Sequence, residues 1–138
     1  MGKIIHLQLK PAEGEPMRVV DRVEAIVNHG LRDDANAGRS KRQILIIERE
    51  LLDEFQLPIG DVRENITVEG IQLAGTPAGT HLRIGQSLLE VTVDCAPCEF
   101  IEAKRPGLRK AMEGKRGTLF KVIEGGTINV GDSIEVVA

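Results

Sequence analysis

What most constrains this chain is how short its apolar runs are. Ile, Val and Leu come in brief alternating or continuous stretches, each cut by Gly, Pro, Asn or Asp. Ile5, Leu7 and Leu9 alternate with His6, Gln8 and Lys10, which predicts a half-buried strand stopped by Pro11. Residues 19–27 read as a second extended stretch, and Gln43-Ile44-Leu45-Ile46-Ile47 as a strand buried on both faces. Residues 65–70 form a short strand. Leu89, Val91, Val93 and Cys95 share one face of another, opposite Glu90, Thr92 and Asp94. Residues 118–123 and 132–137, joined through Gly125-Gly126, predict a closing hairpin. Helical spacing occurs in two places: residues 48–56, with Leu51, Leu52 and Phe55 on one side, and residues 106–113, with Pro106 first and Gly114 as the stop. Many short strands with sparse helices specify a mainly β domain, a barrel or sandwich carrying one or two short helices.

The 138 residues suit a single domain, 1–138, large enough to bury its own core. That core must be aliphatic, because the chain has no Trp, no Tyr and only three Phe. The same scarcity leaves no rings for stacking single-stranded bases, and a net charge of −3 argues against a basic duplex-binding surface. No nucleic-acid partner is expected. Residues 1–7 lack the apolar core of a signal peptide, and no run approaches the roughly 18 apolar residues that cross a bilayer. These features predict a cytoplasmic protein without a membrane partner. Two cysteines in that compartment read as thiols rather than as a disulfide framework.

Cys95-Ala96-Pro97-Cys98 carries the most chemistry. As half of a zinc site it lacks a second pair, since His6, His29 and His81 have no ligand spacing. As a thiol–disulfide pair it has a redox spelling, but such pairs sit at a helix N-terminus after a βαβ unit, and Glu99-Phe100-Ile101-Glu102 does not read as a clean helix. A free Cys is also often a small buried hydrophobe. That reading fits Cys95, which continues an apolar strand face. Cys98 follows the strand-breaking Pro97 among polar neighbours, so it is the candidate reactive thiol.

Cations accompany it. Lys104, Arg105, Arg109, Lys110, Lys115 and Arg116 fall in one stretch, with Arg42 and Arg63 earlier. Nearby positive charge favours a thiolate, a persulfide or a metal-bound sulfur. Arg109 and Lys110 read as a solvated face, whereas Lys104 and Arg105 lie nearer Cys98 in sequence. Arg63 and Asn65 share one side of an extended segment after Gly60 and offer a guanidinium and an amide to an anion. A structural turn with Asn65 bonding its own backbone is the alternative. Asp33-Asp34-Ala35-Asn36 is either a ligand-facing loop or a solvated turn.

Taken in order, these segments resemble the MOSC family, named for the C-terminal domain of molybdenum cofactor sulfurases. Residues 30–38, GLRDDANAG, look like the family's early Gly-Leu…Asp loop, and Arg42-Gln43 like the start of its next strand. Gly60-Asp61-Val62-Arg63-Glu64-Asn65-Ile66 is similar to its most recognisable segment. Residues 85–98 resemble the strand that ends in Pro-Cys, and residues 125–132 the closing hairpin. The resemblance implies a β-barrel-like fold of the pyruvate kinase β-barrel kind and one important cysteine, Cys98. That cysteine would either carry sulfur as a persulfide or ligate molybdenum in a pterin cofactor. Some members resemble reductases of N-hydroxylated compounds, which need an electron donor. Carried over by position, Arg63, Asn65, Asp34, Arg42 and Lys104 become candidate contacts to the molybdenum cofactor, and Cys98 the candidate metal ligand. Ala35 stands where cofactor-binding relatives often place a cation, and Cys95 is not a general feature of the family. The implied partners are a redox donor or a sulfur-transfer protein. Two other classes fit the residues: a non-enzymatic interaction module that kept the fold, and a small thiol–disulfide protein using Cys95 and Cys98.

Overall fold

A computed structural model describes residues 1–137. Seven strands close into a barrel: β1 (Gly2–Leu9), β6 (Ile66–Glu69), β5 (Ile44–Glu48), β9 (Thr118–Glu124), β8 (Ser87–Asp94), β7 (His81–Ile84) and β11 (Ser133–Val137). Closure is made where Gly2 and Lys3 of β1 pair antiparallel with Ile134 and Ser133 of β11. Closing the sheet removes the free edges of these strands. β2 (Arg18–Val20) pairs beside β1, and β10 (Gly126–Asn129), β3 (Arg22–Ile26) and β4 (Gly30–Leu31) form a second, three-stranded sheet.

The aliphatic composition fills the barrel. Ile4, Leu7, Ile44, Ile46, Ile66, Leu82, Leu89, Phe120 and Ile134 are among its buried residues, and Phe120 is the one aromatic ring inside. β5 is buried on both faces, as its continuous apolar run predicts. Ile44 and Ile46 point into the barrel, Leu45 packs outside with Cys95 and Leu119, and Ile47 packs under the helices. The four apolar side chains of β5 thus reach all three hydrophobic clusters of the molecule.

β5 and β6 run parallel, so the chain must cross over between them. The crossover carries α1 (Arg49–Glu54), which buries Leu52 against Ile47, Val62, Ile101, Leu108 and Met112. α3 (Leu108–Ala111) lies within the predicted 106–113 segment. A third single turn, α2 (Glu99–Glu102), begins directly after Cys98. Four residues are too few to show a helical period, so this turn was not visible in the sequence.

Two strand faces differ from the alternation. A β-bulge between Ile4 and His6 shifts the register of β1, so Ile4, Leu7 and Leu9 reach the core and Ile5 does not. A second irregularity in β8, between Val91 and Val93, turns Val93 out to 44% exposure. Leu89 and Val91 stay in the barrel, while Cys95 goes to the outer cluster with Leu45 and Leu119. No helix among the described residues is long and apolar enough to cross a membrane.

Candidate functional site

The second bulge builds the site. Beyond it, the Cys95 backbone N–H donates to the Gly117 carbonyl at 2.9 Å, which fixes the chain leaving β8 against the start of β9. Gly117 is required there: its φ is +121°, and a Cβ would lie 2.8 Å from Leu45 Cδ1. Ala96 and Pro97 then lie outside any helix or strand, and Cys98 is exposed at the entry to α2. Both cysteines are free, and both line one cavity of about 210 Å³.

The cavity floor is apolar, made by Leu45, Leu119 and Cys95, which is 5% exposed. Its walls are not. Lys10, Arg39, Arg42, Arg63 and Arg116 line it with Asn36, Phe100 and Cys98, and among the described residues no carboxylate does. Arg42 Nη2 donates to Cys95 Sγ at 3.8 Å. Arg63 donates to the Glu15 carbonyl at 2.9 Å, and its guanidinium carbon lies 6.0 Å from the centre of the Phe100 ring.

Arg116 is the unusual member. It is 6% exposed, and its Nε and Nη1 are buried without a hydrogen-bond partner among the described residues. A buried cation lacking a partner is expensive, so an arginine kept this way at a cavity wall fits a site for an anion. The sequence placed Arg116 only at the end of a basic stretch. Its convergence with Arg39 and Arg42, more than 70 residues earlier, is a product of β5 pairing with β9.

The other expected contacts divide. Arg42 and Arg63 line the cavity with Cys98. Asp34 and Asn65 do not face it; they hold it from beneath, both buried. Asn65 Nδ2 donates to Asp34 Oδ1 at 3.0 Å and is 3.3 Å from the Gln8 carbonyl, while its Oδ1 accepts from the Leu45 N–H at 3.0 Å. Asp34 also accepts from the backbone N–H of Lys10 at 2.8 Å and of Asn36 at 3.1 Å. The amide thus ties the start of β5 to the loop bearing Asn36, with both Nδ2 hydrogens engaged. Lys104 pairs with Asp61 at 3.0 Å and lies 4.4 Å over the Phe100 ring, outside the cavity lining. Arg105 bonds the Phe55 carbonyl, and Arg109 pairs with Glu99 at 2.7 Å. Ala35 supplies no cation, but Lys10, Arg39 and Arg116 enter from elsewhere in the chain.

The local charge is felt outside the cavity too. The Lys10 ammonium, bonded at 3.0 Å, holds the Glu13 carboxyl below its ordinary range, with smaller help from Arg63 and Arg39. Among the described residues no group of three His, Cys, Asp or Glu gathers to hold a metal.

Fold and site together define a small closed barrel with an exposed free thiol beside a cationic cavity. A sequence profile for the MOSC domain matches residues 29–135, and the chain belongs to that family, which is linked to molybdenum-cofactor-related proteins. Solved structures agree on the fold. The YuaD protein of Bacillus subtilis superposes with a TM-score of 0.82 at 19% identity, over 99% of this chain and 96% of that one. YiiM of Geobacillus stearothermophilus gives 0.80 at 20% identity, over 100% and 76%. YiiM of Escherichia coli gives 0.73 at 21%, over 99% and 70%. No curated protein matches the chain in sequence.

Proposed function

We propose that this is a sulfur-handling protein in which Cys98 takes up sulfane sulfur as a persulfide. The observation that carries the reading is the exposed Cys98 thiol beside a cavity whose charged lining is wholly cationic. The Cys98 thiolate attacks the outer sulfur of a donor persulfide, forming a new S–S bond at Cys98 as the donor's own S–S bond breaks. The donor leaves as its thiolate. Charge is conserved, and Arg42, Arg63 and Arg116 are placed to offset the anion on either side of the transfer. The donor would be a sulfur-transfer protein or a small persulfide.

A second reading is favoured by the same arginines. The family's molybdenum cofactor carries a phosphate, and Lys10, Arg39, Arg42, Arg63 and Arg116 suit it, with Cys98 as the soft sulfur ligand. When bound, that group supplies the redox chemistry needed to reduce N-hydroxylated compounds, with electrons from a separate donor protein. Cavity size favours the first reading. At about 210 Å³ the space falls below the roughly 300–1,000 Å³ that buries a whole drug-sized ligand, and suits a sulfane sulfur or a single anionic group.

The test is intact-protein mass after exposure to inorganic polysulfide. Wild type quenched in acid immediately after exposure should have gained sulfur, and Cys98→Ser treated the same way should gain none while keeping its circular dichroism. Equal uptake by both proteins sinks the proposal. Stoichiometric molybdenum in wild type from a cofactor-making host, absent from Cys98→Ser, would select the second reading.

A further inference from the structure

The uptake step proposed above needs only Cys98, yet Cys95 lines the same cavity. The bulge in β8 moves it out of the barrel core to the floor of the cavity that Cys98 borders. The Arg42 guanidinium reaches its sulfur at 3.8 Å. A cysteine serving only as packing needs neither the shared cavity nor a guanidinium donor. The chain between the two thiols, Ala96-Pro97, belongs to no strand or helix.

We propose that Cys95 discharges the Cys98 persulfide, making the protein a releaser of hydrosulfide as well as an acceptor of sulfane sulfur. This rests on the reading of Cys98 as a persulfide carrier. The Cys95 thiolate, its charge offset by Arg42, attacks Cys98 Sγ, the inner sulfur of the persulfide. The Cys95–Cys98 bond forms as the bond between Cys98 Sγ and the outer sulfur breaks. The electron pair leaves with the outer sulfur, which keeps its proton and departs as HS⁻. The two cysteine sulfurs are oxidised to a disulfide and the sulfane sulfur is reduced to sulfide, so no outside oxidant is required. A dithiol reductant then restores both thiols. Cys98 starts from an extended backbone, φ −138° and ψ −173°, so bridging two residues so close in sequence requires the intervening chain to turn. A disulfide bent this way is expected to be readily reducible.

The experiment loads wild type, Cys95→Ser and Arg42→Met with inorganic polysulfide, removes the excess, and follows the peptide containing residues 95–98 by non-reducing mass spectrometry alongside released sulfide. Cys95→Ser should hold a lasting persulfide on Cys98. Wild type should lose the added sulfur, release an equal amount of sulfide, and show a peptide lighter by two hydrogens that dithiothreitol restores. Arg42→Met, which keeps both cysteines, should discharge about tenfold more slowly for want of one charge-assisted hydrogen bond. A wild-type persulfide that survives as long as that of Cys95→Ser overturns the discharge step and leaves the carrier reading standing. No persulfide on Cys98 in any of the three proteins overturns both.

Discussion

Two of the molecule's concavities have opposite character. The larger, about 480 Å³, runs along α1 and is lined by Glu48, Glu50, Glu54, Gln72 and Lys115 with Leu51 and Ile71. The smaller, about 210 Å³, holds the two cysteines and five cations. Each contains a buried charged residue with an orphaned atom, Glu48 Oε1 in one and Arg116 Nε and Nη1 in the other. Volume alone would choose the first. The partners of the charged groups choose the second.

Glu48 has a structural occupation. Its Oε2 accepts from the backbone N–H groups of Leu73 and Ala74, at 2.9 and 3.0 Å, and so holds the loop after β6 onto β5. Glu50 likewise accepts from the Gly70 N–H at 2.9 Å, and Glu54 is neutralised by Lys115 at 2.9 Å. The acidic cleft is the underside of a loop closure. Arg116 makes no such bond at Nε or Nη1, and neither Arg42 nor Arg116 forms an ion pair among the described residues. A protein that leaves cations without counter-charges around a thiol forgoes stability there, as ligand sites commonly do.

That contrast breaks first at Arg116. Arg116→Met should lower the rate at which Cys98 reacts with a dianionic aromatic disulfide by about ten- to a hundredfold, the worth of a charged hydrogen-bonding group facing an anion. The rate with uncharged iodoacetamide should change little. Folding stability should hold or rise, by up to about 4 kcal/mol, because a buried unpaired charge is replaced by an apolar side chain of similar length. Denaturant unfolding and the paired reagent rates check both halves. A variant that is less stable and equally slow with both reagents would make Arg116 a structural residue like Glu48.

The mirror experiment is Glu48→Ala. It strips the acceptor from two backbone N–H groups, one of them on the fully buried Leu73, and should cost about 1–3 kcal/mol of stability. Cys98 should react with either reagent at the wild-type rate. If its reactivity changed with the fold intact, the two concavities would be coupled, and the acidic cleft would regain a claim on function.

Which parts of this were legible in the sequence follows from what each depends on. The burial of β5 on both faces and the exposure of Cys98 rest on local pattern, and local pattern carried them; Cys95 is buried as expected, but in the outer cluster with Leu45 and Leu119 rather than on the face of Leu89 and Val91. The faces of β1 and β8 depend on bulges, which insert a residue without any change in composition, so Ile5 and Val93 were placed inward and lie elsewhere. Asn65 read as a ligand contact because an amide beside an arginine suits an anion equally well. Its partners Asp34, Leu45 and Gln8 come from three distant segments, and only the fold joins them. Arg116 was hidden for the same reason. Nothing near it in sequence distinguishes it from Lys115, which faces the other concavity.

The smallest effect expected is at the rim of the cationic cavity. Glu13 is exposed, and its carboxyl is held below the ordinary range chiefly by the bond from Lys10 and then by the charges of Lys10, Arg63 and Arg39. A depressed carboxyl keeps its charge as pH falls past the ordinary glutamate value, so Glu13 goes on tempering the cluster through mild acid. The stability it adds is present above the unfolded value and is lost only as pH falls through the lowered one. Glu13→Gln removes that negative charge while leaving all five cations. The dianionic disulfide should then react with Cys98 faster by less than about threefold, an advantage that disappears in high salt as exposed charges are screened. Iodoacetamide should not distinguish the two proteins. A gain that survives high salt, or that appears with the uncharged reagent, would mean Glu13 acts on the shape of the rim rather than on its field, and the charge argument for the cavity would lose its outermost support.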